Sequence, residues 1–101
     1  MFNKYEPVVC ASGFSMSVQA NSTAYSEPRS NNAETYNLVE VGFPSAAEAM
    51  LLEYAEDREN PTGTVYGYVP VQVVTNIIAK HGGMVSGEVP PGVAPLRASS
   101  R

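Results

Sequence analysis

The chain has 101 residues, a length that supports one hydrophobic core and not two. Hydrophobic residues are 44% and charged residues only 16%, against about 25% in typical soluble domains, so the surface is largely Ser, Asn, Thr, Tyr and Gly, cheap to dehydrate in a binding face. A net charge of −4 with six scattered basic residues argues against direct nucleic-acid binding. One cysteine rules out an intrachain disulfide, and the lack of a long apolar run or signal-peptide core points to a cytoplasmic protein with no membrane partner.

Tyr5 to Asn21 reads as a β-hairpin. Val8-Val9-Cys10-Ala11 leads into a Ser12-Gly13 turn, and then Phe14, Met16, Val18 and Ala20 alternate with Ser15, Ser17, Gln19 and Asn21. Residues 22 to 35 form a long loop, about fourteen residues, which exceeds the usual connection and is expected to be mobile or functional. Tyr36 to Phe43 is the next strand, with Val39, Val41 and Phe43 on one face. Ser45 and Glu48 then make a capping-box pattern that opens a helix ending near Asp57, with Ala47, Met50, Leu51 and Tyr54 inward and Glu48, Glu53 and Glu56 outward.

Asn60-Pro61-Thr62-Gly63 is a turn signature. Thr64 to Val69 follows as a strand, with Val65 and Val69 on one face and Thr64, Tyr66 and Tyr68 on the other. A second helix opens at Pro70, carries Val73, Val74, Ile77, Ile78 and His81 as its apolar stripe, and closes at Gly82-Gly83. Met84 to Val89 can add an edge strand. The expected architecture is α+β: a small antiparallel or mixed sheet of about four to five strands with two helices packed on one face, over residues 1–89. Residues 90–101, rich in Pro, then form an extended or flexible C-terminal tail.

No set of acid, base and nucleophile can be named from the sequence, and neither a catalytic residue, a metal site nor a cofactor is expected. Cys10 lies in an apolar strand and reads as a buried small hydrophobe. His81, in the last turn of its helix, reads as a cap for the final carbonyls, with ligand contact as the alternative. Two features ask for more than structure. In Tyr25-Ser26-Glu27-Pro28-Arg29 an aromatic, a hydroxyl and a guanidinium cluster beside a proline, and Arg29 is the best-placed cation for a carboxylate or phosphate. Tyr66 and Tyr68, on an uncovered strand face, offer aromatic surface to another subunit or a planar ligand. The acidic run Glu53, Glu56, Asp57 and Glu59 is a candidate partner surface.

The stretches Phe14–Ala20, Val39–Ser45, Tyr54–Asp57, Thr64–Pro70 and His81-Gly82-Gly83 resemble small proteins encoded in phage and prophage genomes. That resemblance implies a bacterial host cell and a role against host defence, either sequestering a small signalling molecule or blocking a host complex. Low surface charge, a long loop with one well-placed arginine and an uncovered aromatic face together give the expected function, a non-enzymatic, homo-oligomeric binding protein. Its interface pocket would take a small anionic ligand such as a nucleotide signal, through Tyr25, Ser26, Arg29, Tyr66, Tyr68 and His81. The alternative is an inhibitor of the anti-CRISPR type, which engages a host defence protein through Glu53, Glu56, Asp57 and Glu59.

Overall fold

The computed structural model describes residues 5–99; residues 1–4 and 100–101, at the ends of the predicted domain and tail, lie outside the described residues. The fold is α+β. Five strands, β1 (Val8–Cys10), β2 (Ser15–Gln19), β3 (Leu38–Gly42), β4 (Val65–Pro70) and β5 (Met84–Ser86), form one sheet in the order β4-β3-β2-β1-β5. Every neighbouring pair is antiparallel. The β1–β2 hairpin turns at the predicted place, where Cys10 and Phe14 are joined by a backbone bond and Gly13 takes a φ of +95° that a side chain would resist.

The helix α1 (Val71–Lys80) leaves β4 directly and delivers the chain to β5 on the opposite edge. Ten residues of helix span about 15 Å, against about 19 Å for four inter-strand spacings, and the Gly82-Gly83 turn closes the remainder. Both glycines have φ near +90°, as expected of a helix stop that reverses the chain. The face of α1 that crosses the sheet carries Val74, Ile77 and Ile78, all fully buried against Val8, Met16, Val18, Val39, Val41 and Val69. Phe14, Met16, Val18 and Ala20 are buried as their alternation predicts, and so is Cys10.

Three local expectations are corrected. The first helix is a single 3-10 segment of six residues, Ala49–Tyr54, instead of an α-helix opening at Ser45. Ser45 is held by β2, its hydroxyl accepting from Ser15 N at 2.9 Å and its own N–H donating to Ser15 O at 2.8 Å, so it cannot cap. Glu48 takes that role, accepting from Met50 N, and its side chain points inward. Phe43 does not share the buried face of Val39 and Val41, because a φ of +48° turns it out to 59% exposure.

The third correction concerns β4. Val41 pairs with Tyr66 and Val39 with Val69, so three steps on β4 match two on β3, and a bulge lies between. Tyr68 sits in it with φ +54°. The extra residue reverses which face follows: Tyr66 is buried at 1% exposure with Val69, and Tyr68 stands out at 46%.

The C-terminal segment is extended, but it packs along the domain. Leu96 O accepts from Met84 N and Met84 O from Ala98 N, which lays Arg97 beside β5 as a parallel bridge. Val93 enters the core and Pro91 O accepts from Tyr36 N, so the hydrophobic core continues past residue 89. Gly87 permits the turn into this segment. Its φ is +102°, and a Cβ there would strike the Pro7 carbonyl. Gly87→Ala is accordingly expected to cost about 2 kcal/mol, read as a lower urea midpoint with unchanged slope; an unchanged midpoint would mean that the tail docks without this contact.

Candidate functional site

The long loop, residues 20–37, is stitched down by its own polar side chains. The Asn21 carboxamide oxygen accepts from Thr23 N and Ala24 N at 2.8 Å and from the Thr23 hydroxyl at 2.9 Å, which sets the first turn. Ser22 N donates to Asn31 Oδ1, and the Tyr36 hydroxyl donates to Ser30 O at 2.7 Å while accepting from Ala33 N. Glu27 exchanges backbone bonds with Leu38 at the start of β3, its carbonyl also accepts from Asn37 N, and the Glu27–Pro28 peptide is cis.

These restraints place Tyr25 on the sheet. Its N–H donates to Glu40 Oε1 at 2.9 Å and its carbonyl accepts from Tyr68 N at 2.9 Å. Gly67 lies beneath it, where a Cβ would come within 3.2 Å of Tyr25 Cβ, so glycine allows the approach. The Tyr25 and Tyr68 ring centroids are 5.8 Å apart with an interplanar angle of 37°, within the range of a favourable aromatic pair. Arg29 completes the group, its guanidinium carbon 5.5 Å from the Tyr25 centroid. Arg29 is exposed, bonds weakly to Thr23 O at 3.4 Å, and pairs with no carboxylate among the described residues.

Of the six predicted ligand residues, then, Tyr25, Arg29 and Tyr68 converge on one exposed platform. Ser26 supports it from below, buried at 2% exposure with its hydroxyl shared between Asn21 O and Pro28 O. Tyr66 does not belong: its ring is in the core and its hydroxyl donates to Pro61 O at 2.6 Å. Burial raises its phenol pKa, so it stays a neutral donor. His81 does not belong either. It lies at the far end of α1, stacked on Phe14 with centroids 4.1 Å apart, and bonded to Ser12 and Glu48.

The acidic run is exposed throughout but is not one helical turn, since the 3-10 segment stops at Tyr54 and Glu56 N bonds across to Val65 O. Asp57 is partly spent on its own turn, accepting from Glu59 N. A separate open groove of about 530 Å³ runs between β5 and the C-terminal segment, lined by Tyr5, Met84, Glu88, Val89, Pro91 and Arg97. It shares no residue with the platform.

Sequence reasoning missed Lys80 and the inward-facing carboxylate of Glu48, which the fold joins to His81. This carboxylate is 4% exposed and accepts from Met50 N at 3.0 Å, Lys80 Nζ at 2.8 Å and His81 Nε2 at 2.8 Å. Burial alone pushes its pKa up, but the bonds from Lys80, His81 and Met50 together outweigh that and hold it at about 2. The only sequence signal was a Lys80-His81 pair ending an apolar helix, which asks for an anion without saying which. Comparison of the chain with protein-family models, with curated proteins and with solved structures finds no match.

Proposed function

We propose that the protein captures a small planar anion, of the nucleotide class, on the platform formed by Tyr25, Tyr68 and Arg29. The observation that carries this reading is the convergence of two exposed tyrosines with an arginine free of any carboxylate partner among the described residues. A phosphate takes the guanidinium in a bidentate pair, and a base takes the tyrosine faces. In this reading the ligand is held and not turned over.

The platform is a surface and not a cavity, and a ligand stacked on it keeps one face in water. A second copy of the chain placed over that face completes the pocket, which is the reason for reading the protein as a homo-oligomer with the ligand at its interface. In the setting that the phage resemblance implies, such capture would withdraw a host defence signal.

Native mass spectrometry with a panel of mono-, di- and cyclic nucleotides tests this. The expected result is an oligomer carrying one nucleotide per site, with Arg29→Ala weakening binding by about tenfold or more, as loss of a charge-assisted pair should. Full affinity in Arg29→Ala, or no nucleotide bound at millimolar concentration, would overturn the proposal. Binding of a host protein that vanishes when Glu53 and Glu56 are changed to Lys would transfer the function to the acidic surface.

A further inference from the structure

Away from the platform, the turn between β1 and β2 meets the C-terminal end of α1 in a second constellation. Ser12 N donates to His81 O at 3.1 Å, and Ser12 Oγ lies 3.0 Å from His81 Nδ1. On the other side of the ring, His81 Nε2 lies 2.8 Å from Glu48 Oε1. A carboxylate only accepts, so Nε2 carries the proton of that bond. In the neutral ring this leaves the Nδ1 lone pair facing the Ser12 hydroxyl. Phe14 stacked at 13° holds the plane of the imidazole, and Lys80 occupies the second oxygen of Glu48, which fixes the carboxylate.

We propose that Ser12 is a nucleophilic serine, with His81 as its general base and Glu48 as the group that positions the base. The order of roles is that of a hydroxyl, imidazole and carboxylate relay, with the two ring nitrogens exchanged relative to the common arrangement; proton transfer through imidazole works in either sense. Ser12 is exposed, and beside it Gly13 has open space where a side chain would stand, so an electrophile has a path to Oγ.

The turn also sets the class of substrate. The N–H groups of Ala11, Ser12 and Gly13 are bonded to Gly83 O, His81 O and Cys10 O, and Phe14 N donates to Ser12 Oγ itself at 3.3 Å. None is left to stabilise an oxyanion, which elsewhere contributes a factor of about 10²–10³. Ser12 therefore reacts with electrophiles that carry a good leaving group, such as aryl esters and phosphonofluoridates, and leaves amides intact. With an aryl ester, the Oγ–acyl carbon bond forms and the acyl carbon–phenolate bond breaks. The Ser12 proton passes to Nδ1 of His81 and from there to the departing phenolate. Water later attacks the acyl carbon, returning a proton to Oγ and releasing the acid.

The test uses the full chain with p-nitrophenyl acetate and, separately, a small alkyl fluorophosphonate, read by intact mass and peptide mapping. The exposed Ser22 and Ser30 in the same sample serve as internal references. The expected result is one adduct on Ser12, formed about 100-fold or more faster than on either reference, the usual worth of a positioned base, and lost in Ser12→Ala. Labelling of Ser12 no faster than Ser22 or Ser30 overturns the proposal. Glu48→Gln, assayed where circular dichroism shows it folded, is expected to slow Ser12 labelling by tenfold or more. An unchanged rate there would overturn the positioning role, because a purely structural Glu48 alters the folded fraction and not the reactivity of folded molecules. Neither readout depends on Tyr25, Arg29 or Tyr68.

Discussion

Glu48→Ala is expected to lower stability by about 3–4 kcal/mol, a fall of roughly 15 °C or more in melting temperature for a domain of this size. The side chain is 1% exposed and three donors from two parts of the chain end on it: Met50 N in the adjoining 3-10 segment, and Lys80 Nζ and His81 Nε2 at the end of α1. Removing the carboxylate leaves the imidazole N–H and the Met50 N–H without partners in a part-buried site. Lys80, half-exposed, returns to water at little cost. The loss therefore concentrates on the His81 and Met50 bonds and on the void. Because Glu48 joins α1 to the 3-10 segment across the core, its loss also loosens the layer over the sheet.

The same group sets a pH dependence whose sign follows from its depressed pKa. Folded Glu48 titrates at about 2 and an ordinary Glu at 4.5, so the unfolded chain takes up the proton first as pH falls. The Glu48 contribution is whole above about pH 4.5, declines from there toward pH 2, and is absent below. Discounted for the exposure of Lys80, the part that titrates is about 2 kcal/mol. Melting curves of the native chain and Glu48→Gln from pH 7 to pH 2 should therefore differ most at neutral pH and converge in acid. A constant difference across that range would mean that the carboxylate is not the group responsible.

Most of the sheet was legible because its signals are local. Alternation from Phe14 to Ala20 is a direct consequence of the pleat with one face buried, and the α1 stripe is a direct consequence of helical pitch. Gly82-Gly83 announced the helix end because few other residues tolerate φ near +90°. The failures have a common cause in partners far along the chain. Ser45 and Glu48 satisfied a capping-box pattern, yet Ser15, thirty residues earlier, claimed Ser45, and Lys80 and His81, more than thirty residues later, claimed Glu48. The platform was half legible for the same reason: Tyr25 and Arg29 are close in sequence, but what brings Tyr68 to them is the bond from Tyr68 N to Tyr25 O, made across the bulge.

That bulge makes the two tyrosines of β4 opposites, and their substitution should show it. Tyr66→Ala is expected to cost about 3–5 kcal/mol, a large part of the whole stability of a small domain. Its ring fills the core beside Val41 and Leu51 and its hydroxyl closes the turn at Pro61. Tyr66→Phe keeps the ring and gives up only that bond, for about 1 kcal/mol. Tyr68→Ala removes an exposed ring from a residue with φ +54° and should move stability by less than about 1 kcal/mol while weakening ligand capture. Urea unfolding of the three variants, alongside their nucleotide binding, separates the two positions. Were the strand regular, with Tyr66 and Tyr68 on one face, both alanine variants would lose binding with similar, small stability changes. A bulged β4 requires that stability be lost at Tyr66 and binding at Tyr68.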